Sequence, residues 1–339
     1  SDGTRMYIVG TESSGGSTPF DPVVLTPKIL EYILPTAYNI SSATLNNTLD
    51  ISSHSVEDAD YSGNNFSITE PTGIAFSEDG TKMFVIGLTS LGSFSGILEY
   101  TSEGDAFILA NYNTSNIEGN LNINFLGSGI RNPQSIQFND DGTKMYISDS
   151  DDKNVTELNL GTAYDITSLT TLSFNFSVSA EEATITDAVF NFNGSKLLVV
   201  GASGDDINQY DLSTNYSLSS ASYSQTSVQL TADSSPQGIA FKEDGTELIL
   251  LGDANDRLYN YDIPLGNYEE ASENDGSIDN ETPLQIKLIG ATFKSSLTVG
   301  SDVSITYDGG AIPSGLTAVI SVSNNVATLT FTGNASPHG

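Results

Sequence analysis

The sequence predicts an all-β protein, a five-bladed β-propeller followed by a small β-sandwich. Three observations support this fold class: a nine-residue phrase recurs five times, short apolar segments surround its copies, and a polar segment closes each repeat. The copies are Asp2–Gly10, Asp79–Gly87, Asp141–Asp149, Asn193–Gly201 and Asp244–Gly252. Self-similarity over such intervals is the signature of a repeat architecture.

Each repeat is predicted to contain four antiparallel strands, of which the first precedes the recurring turn. These inner strands are Thr72–Phe76, Gln134–Phe138, Asp187–Phe190 and Gln237–Phe241. Three of them follow a proline, which suits a strand entrance because proline cannot donate to a ladder. The Asp-Gly pair supplies the positive φ of a tight turn. The second strand is apolar throughout, as expected for a strand buried between two sheets.

A third strand and a second recurring phrase complete each repeat. The third strands are Ile29–Tyr32, Ile97–Tyr100, Val155–Leu158, Ile207–Tyr210 and Leu258–Tyr261. The second phrase appears as Thr36–Ile40, Thr162–Ile166 and Thr214–Leu218. A polar fourth strand follows, as in Thr171–Phe176. Four strands that become more polar outward are typical of a propeller blade.

The spacing of the turns sets the number of blades. The long early intervals are attributed to loop insertions at Glu12–Pro27 and His54–Glu70, which contain no further blade phrase, so five blades are predicted, with six as the alternative. Since the first copy opens at its turn, the first blade is predicted to lack an inner strand within this sequence. Upstream sequence, the C-terminal segment or another molecule would supply that strand, and these three sources stay open.

The character of the sequence changes near residue 267. Residues 1–266 are predicted to form the propeller, 267–282 an acidic linker and 283–339 an incomplete Ig-like sandwich. Strands of this last module are predicted at Leu284–Ile289, Val303–Tyr307, Leu316–Val322 and Val326–Phe331.

Composition excludes several classes of protein. The chain has 43 acidic and 11 basic residues, a net charge of −32, no cysteine and no long apolar run. Because phosphates require Lys and Arg, nucleic acids and anionic membrane surfaces are unsuitable partners. Disulfides and thiolate metal sites are excluded as well. Membrane insertion is not expected.

Acidic loops after the second strands are candidate calcium sites. The candidate ligands are Asp149, Asp151, Asp152, Asp205, Asp206, Asp253 and Asp256, together with Asp275 and Asp279 of the linker. Closely spaced oxygen side chains can enclose a calcium ion. The alternative is that Asp and Asn serve there as turn residues.

Catalytic signals are few. His54 and His338 are the only histidines, and no Gly-x-Ser-x-Gly segment is present, so a hydrolase triad is not predicted. Acids are so numerous that no glycosidase pair can be selected. The turn aspartates are interpreted as structural, and Tyr32, Tyr100, Tyr210 and Tyr261 as packing between blades.

The blade phrase, from Pro71 through Asp79-Gly80-Thr81-Lys82 to the Thr-Ala-Tyr phrase, resembles the blade repeats of large bacterial surface proteins and is similar to NHL and lactonase-like propellers. The tail, with Ile312–Ile320 and Ala327–Ala335, resembles the tandem Ig-like modules of giant adhesins. The resemblance implies secretion and display at the cell surface.

The favoured function is an extracellular, non-enzymatic adhesion or recognition module of a secreted bacterial surface protein, stabilised by calcium. Its partner would be a glycan or protein on another surface, or neighbouring copies of itself. One alternative is a subunit of an extracellular fibre that is completed by strand exchange. The other is a polysaccharide-active propeller enzyme.

Overall fold

The computed structural model describes residues 3–14, 24–57, 65–90, 95–123, 129–191, 193–204, 206–226, 234–242, 247–255, 257–262, 284–287, 315–323 and 326–334. These residues form strands joined by turns and short 3-10 segments. No helix among them is long and apolar enough to cross a membrane.

The protein is a five-bladed β-propeller, as predicted, and each copy of the recurring phrase belongs to one blade. Blade 1 contains β1 (Arg5–Ser14), β2 (Val24–Ile33) and β3 (Thr44–Asp50). Blade 2 contains β4 (Ser55–Glu57), β5 (Asn65–Phe76), β6 (Lys82–Thr89), β7 (Ser95–Thr101) and β8 (Ile117–Asn122). Blade 3 contains β9 (Pro133–Phe138), β10 (Lys144–Asp149), β11 (Asn154–Leu160) and β12 (Leu169–Ser177).

The last two blades continue the pattern. Blade 4 contains β13 (Ile185–Phe190), β14 (Lys196–Gly201), β15 (Ile207–Leu212) and β16 (Ala221–Thr226). Blade 5 contains β17 (Pro236–Phe241), β18 (Glu247–Gly252) and β19 (Arg257–Asp262). In every blade the strands are ordered as they follow one another along the chain. Single 3-10 turns are at Ile40–Ser42, Leu109–Asn111, Thr114–Asn116, Ile166–Ser168 and Leu218–Ser220.

The four predicted inner strands lie where the sequence predicts them, as do the turns of blades 2, 3 and 4 within the described residues. Among the described residues, the sheet of blade 1 has three strands in the order β1-β2-β3, and the predicted lack of an inner strand stays a prediction. The prediction that Glu12–Pro27 and His54–Glu70 are loop insertions is partly wrong. Glu12 pairs with Thr26 as β1 and β2 continue outward, and Val56 of β4 pairs with Phe66 of β5. These strand extensions are polar and lack an alternating apolar pattern, so the sequence does not predict them, although their backbones pair.

The hydrophobic core lies between the blades. In blade 2, Met83 and Val85 of β6 pack with residues of blade 1, and the alternate residues Phe84 and Ile86 pack with residues of blade 3. We call these two sides the preceding face and the following face of a blade. Because successive side chains of a strand point to opposite sides, a strand buried on both faces needs an unbroken apolar run. The second strands of blades 2, 3 and 4 are accordingly almost wholly buried.

The chain divides into two compact units. The first comprises Ser1–Ala240 and Ile249–Asn260, and the second Phe241–Leu248 and Tyr261–Gly339. The second unit includes a sheet of β20 (Leu284–Lys287), β21 (Leu316–Ser323) and β22 (Val326–Gly333) in the order β20-β22-β21. These strands coincide with three of the four predicted ones. The fourth, Val303–Tyr307, lies outside the described residues, and the Ig-like sandwich and the predicted domain boundaries stay predictions.

Candidate functional site

The two ends of each blade have different chemistry. In an antiparallel meander, alternate connections lie at opposite ends of the sheet. The turns between first and second strands and between third and fourth strands therefore share one end, which we call the turn end. The connections after the second strand and before the next inner strand share the other, which we call the loop end.

At the turn end, an aromatic ring covers the glycine of the recurring turn in each of the four blades whose turn glycine the structure describes. Gly142 has φ +68°, and the ring of Tyr164 lies where a Cβ at Gly142 would be. Tyr164 itself has φ +54°, and its N–H donates to the Gly142 carbonyl at 2.9 Å. The same arrangement occurs in three other blades, in the pairs Gly3 with Tyr38, Gly80 with Phe107 and Gly194 with Tyr216. The second recurring phrase is therefore the partner of the first, which the sequence did not indicate.

A buried glutamate ties each of the first three blades to the next at the turn end. In blade 3, Glu157 is 3% exposed and pairs with Lys144 of its own blade at 2.7 Å. Its other oxygen accepts the N–H of Leu218 in blade 4 at 2.9 Å. We call this arrangement the glutamate latch. Glu31 and Glu99 repeat it, pairing with Arg5 and Lys82 and accepting the N–H groups of Leu109 and Ile166.

The latch lysines also contact the next blade directly. Lys82 Nζ donates to the carbonyl of Tyr164 at 2.9 Å, and Lys144 Nζ donates to that of Tyr216 at 3.0 Å. Since a buried carboxylate must be both paired and hydrogen-bonded, these contacts explain how a charge is tolerated inside an apolar strand. The turn end therefore contains polar contacts that join successive blades.

The loop end of blade 3 contains three of the predicted calcium ligands. Asp149 is completely buried, and its carboxylate accepts N–H groups from Arg131, Asn132 and Asp152, each at 2.7 Å. Asp151 and Asp152 are exposed beside it. Asp149 thus organises the loop, and it would have to exchange these hydrogen bonds to coordinate an ion. The turn interpretation accounts for Asp149. Of its two exposed neighbours, Asp151 accepts a hydrogen bond from the side chain of Asn132 at 3.3 Å.

Blade 4 uses a different residue for the same purpose. Glu182 is completely buried and accepts the N–H of Thr184 at 2.6 Å and of Ser203 at 3.3 Å. Sequence reasoning missed Glu182, because it precedes the inner strand and is far from the loop it holds. The predicted ligand Asp206 is half-buried and accepts from the side chain of Asn208 at 2.9 Å.

Of the remaining predicted ligands, the structure describes only Asp253. Asp253 is exposed at the loop end of blade 5, where its N–H donates to the Ser235 carbonyl at 2.9 Å. Asp205, Asp256, Asp275 and Asp279 lie outside the described residues. Within the part of the chain that the structure describes, no three acidic or histidine side chains form a group that could hold a metal ion.

A second buried carboxyl joins the inner strands. Asp187 of blade 4 accepts the N–H of Ile239 in blade 5 at 2.9 Å and that of Ala188 at 2.7 Å. The residue keeps some accessible surface, but its carboxyl is buried. Burial raises the pKa of this carboxyl to about 6, and the hydrogen bonds that it accepts offset part of this rise. Ser135 occupies the equivalent position in blade 3, where its hydroxyl receives the N–H of Ala188 at 3.3 Å.

His54 is a structural residue in this fold. It is 5% exposed, and its Nδ1 lies 3.0 Å from the hydroxyl of Tyr100. Burial lowers its pKa, so the ring is neutral at pH 7. Tyr100 and Tyr210 are buried between blades as predicted, whereas Tyr32 is half-exposed.

Comparison with protein-family models and with curated proteins gave no match. Among solved structures, the chain is similar to a functionally unknown protein from Desulfotomaculum acetoxidans, with 12% identity, 68% of this chain and 59% of that chain covered, and a TM-score of 0.40. It is also similar to a candidate 6-phosphogluconolactonase from Bacteroides fragilis, with 14% identity, 77% and 78% covered, and a TM-score of 0.44. A third is the β-propeller domain of Cps50 (Swd1) from Myceliophteria thermophila, with 10% identity, 70% and 80% covered, and a TM-score of 0.42. The chain thus spans 59% of the length of the first of these structures.

Proposed function

We propose that the protein is a non-enzymatic recognition module of an extracellular bacterial surface protein, and that it binds through the loop end of the propeller. The observation that carries this proposal is the ordered acidic loop at the loop end of blade 3. Exposed carboxylates occur at both ends, but Asp151 and Asp152 stand beside a buried Asp149 that fixes the backbone of their loop, whereas the turn end contains the glutamate latches and covered glycines that join successive blades. Binding groups held by a rigid scaffold are the usual arrangement of a recognition surface.

The loop of blade 3 supports this assignment most strongly. Asp149 fixes three backbone N–H groups, so the neighbouring carboxylates lie on backbone that is already ordered before a partner arrives. A preorganised surface loses less conformational entropy on binding. The net charge of −32 favours partners that are neutral and hydroxyl-rich, such as glycans, or cationic, such as basic protein surfaces.

Calcium is part of the proposal. Asp151 and Asp152 are suitable oxygen ligands, since calcium accepts carboxylates, carbonyls and water in flexible geometries. An ion at the loop end would neutralise part of the surface charge and could bridge to the hydroxyl groups of a glycan. The resemblance of the blades and tail to surface proteins supports the extracellular setting.

A glycan array followed by a reducing-sugar assay tests the proposal. The full 339-residue chain, labelled and supplied with calcium, is expected to bind a subset of glycans without releasing sugar from them. Release of reducing ends from a bound polysaccharide would favour the enzymatic alternative. Absence of binding to glycans and to a panel of basic proteins would contradict the recognition function.

A further inference from the structure

Most positive charges of the chain are neutralised within the fold. Among the side chains that the structure describes, the arginines and lysines that form ion pairs with carboxylates are Arg5, Lys28, Lys82, Lys144, Lys196 and Lys242. All of these except Lys28 adjoin a recurring turn, and Lys28 pairs with Glu12 along the first hairpin. The cations beside the turns are therefore engaged in holding the blades.

The described cations without a carboxylate partner lie at the loop end. They are Arg131 before the inner strand of blade 3, Lys153 in the loop after its second strand, and Arg257 at the corresponding loop of blade 5. Lys153 Nζ donates to the carbonyl of Asp151 at 3.0 Å, so this ammonium group is engaged in its own loop. The side chains of Arg131 and Arg257 are exposed and form neither an ion pair nor a hydrogen bond with the rest of the chain.

The backbone of Arg131 is held at both of its polar groups. Its N–H donates to the buried carboxylate of Asp149 at 2.7 Å, and its carbonyl accepts the hydroxyl of Ser95, a buried residue of blade 2, at 2.8 Å. The preceding residue, Ile130, is 1% exposed and belongs to the core between blades 2 and 3. Arg131 is thus fixed at its main chain, whereas its guanidinium group makes no polar contact in the fold.

The residues that flank this segment contact the acidic loop of blade 3. The side-chain amide of Asn132 donates to Asp151 at 3.3 Å. The carboxylate of Asp152 lies against Gly129, with one oxygen 2.5 Å from the position that a Cβ would take there. Arg131 therefore shares one surface with Asp151 and Asp152.

This surface combines hydrogen-bond donors with acceptors and is close to electrical balance. A guanidinium group only donates, and an ionised carboxylate only accepts. The exposed anions Asp151 and Asp152 are matched by the cations Arg131 and Lys153, although the whole chain has a net charge of −32. A strongly cationic or anionic partner would meet like charges here, which is costly. A hydroxyl group both donates and accepts, so a neutral glycan can use both kinds of group.

We infer that Arg131 determines the specificity of this surface, by donating to oxygen atoms of a neutral glycan whose neighbouring hydroxyl groups interact with the carboxylates of Asp151 and Asp152. The inference rests on the proposed recognition function and narrows its partner to a neutral glycan. The guanidinium group also selects against basic protein surfaces, which it repels. Because the backbone of Arg131 is already fixed, only side-chain freedom is lost when the ligand binds.

Glycan-array binding of the full chain with calcium, compared between the wild type and Arg131→Gln, tests the inference. The array contains neutral and uronate-containing oligosaccharides, and immobilised poly-lysine represents a basic surface. The wild type is expected to prefer neutral oligosaccharides to both. Arg131→Gln should lose about tenfold or more in affinity for them, as expected when hydrogen bonds from a charged group are lost. Its melting temperature should equal that of the wild type, since the guanidinium group makes no polar contact in the fold.

Lys196→Gln is the matched control, because it also removes one positive charge, from an ion pair with Asp211 at the turn end. Its glycan binding should equal that of the wild type. Arg131→Glu, which reverses the charge, should bind poly-lysine more tightly than the wild type does.

Two results would overturn the inference while leaving the recognition function intact. One is an unchanged glycan affinity of Arg131→Gln. The other is a wild type that prefers uronate-containing oligosaccharides or poly-lysine to neutral oligosaccharides. A wild type that binds none of these ligands would contradict the recognition function, and the inference with it.

Discussion

At the residue scale, the glycine of the recurring turn is required for two reasons in the four blades whose turn glycine is described. Gly142 adopts φ +68°, a region that disfavours residues with a Cβ, and the ring of Tyr164 fills the space that the Cβ would need. The sequence predicted the first reason from the Asp-Gly pair. The second depends on a residue of the following turn and could not be predicted from the turn alone.

Gly142→Ala is therefore expected to destabilise the protein by about 2–4 kcal/mol, from the left-handed conformation together with displacement of the ring. Gly10→Ala is the matched control, because no atom lies within 4 Å of its Cβ position and its φ is not positive. The control should change stability by less than about 0.5 kcal/mol. Denaturant unfolding of both variants measures the difference, and equal stabilities would contradict this account of the turn.

Asp187 makes a prediction about pH. Its pKa is raised from 3.8 to about 6 in the folded state, so the native protein binds this proton more tightly than the unfolded chain. Its stabilising contribution is full below pH 3.8 and is lost as pH rises through 6. With about 1.4 kcal/mol per pKa unit, the loss is about 3 kcal/mol.

The other carboxylates also titrate, so the comparison must be with Asp187→Asn. The difference in unfolding free energy between wild type and variant should fall by about 2.4 kcal/mol between pH 4 and pH 7. A difference that is constant across this range, measured by denaturant unfolding, would show that Asp187 titrates normally.

At the scale of the element, the glutamate latch adds an ion pair and a hydrogen bond to the apolar packing between successive blades. Glu157→Gln removes the charge that pairs with Lys144, and leaves this lysine without its carboxylate in a largely buried place. The expected cost is about 2–4 kcal/mol, since breaking a buried pair leaves one charge uncompensated.

Glu12→Gln provides the control for this change, because Glu12 forms an ion pair with Lys28 but its side chain is 63% exposed. An exposed pair contributes about 0–1 kcal/mol. If thermal unfolding shows the same loss for both variants, the latch is no more than a surface ion pair.

The sequence predicted strands more readily than contacts between them. Inner strands and turns were predictable because a recurring phrase records local backbone geometry. The latch was not, since Glu157 and Leu218 are 61 residues apart and meet only when two blades pack. A signal was nonetheless present: an acidic residue interrupts the same apolar strand at Glu31, Glu99 and Glu157.

The candidate site shows the same limit. Acidic loops were recognisable by composition, but two of the three N–H partners of Asp149 come from a loop that precedes it by 17 to 18 residues. Composition alone cannot separate a carboxylate that organises a loop from one that faces solvent.

At the scale of the whole molecule, calcium binding should stabilise the fold. Any ligand that binds only the native state raises its stability by mass action. The melting temperature is therefore expected to fall when a chelator replaces calcium, and the Asp151→Asn, Asp152→Asn double variant should lose much of this difference. Identical melting temperatures of the wild type with calcium and with chelator would contradict the calcium site.

The central claim is that the protein binds its partner through the loop end of the propeller, and a comparison of variants at the two ends tests it most directly. Glycan-array binding is compared between the Asp151→Asn, Asp152→Asn variant and a charge-matched control at the turn end, Glu78→Gln with Asp105→Asn, where both residues are exposed. The account predicts that the loop-end variant loses at least about tenfold in affinity for the glycans bound by the wild type, while the turn-end control binds as the wild type does. Equal binding by both variants, or loss only in the turn-end control, would contradict it.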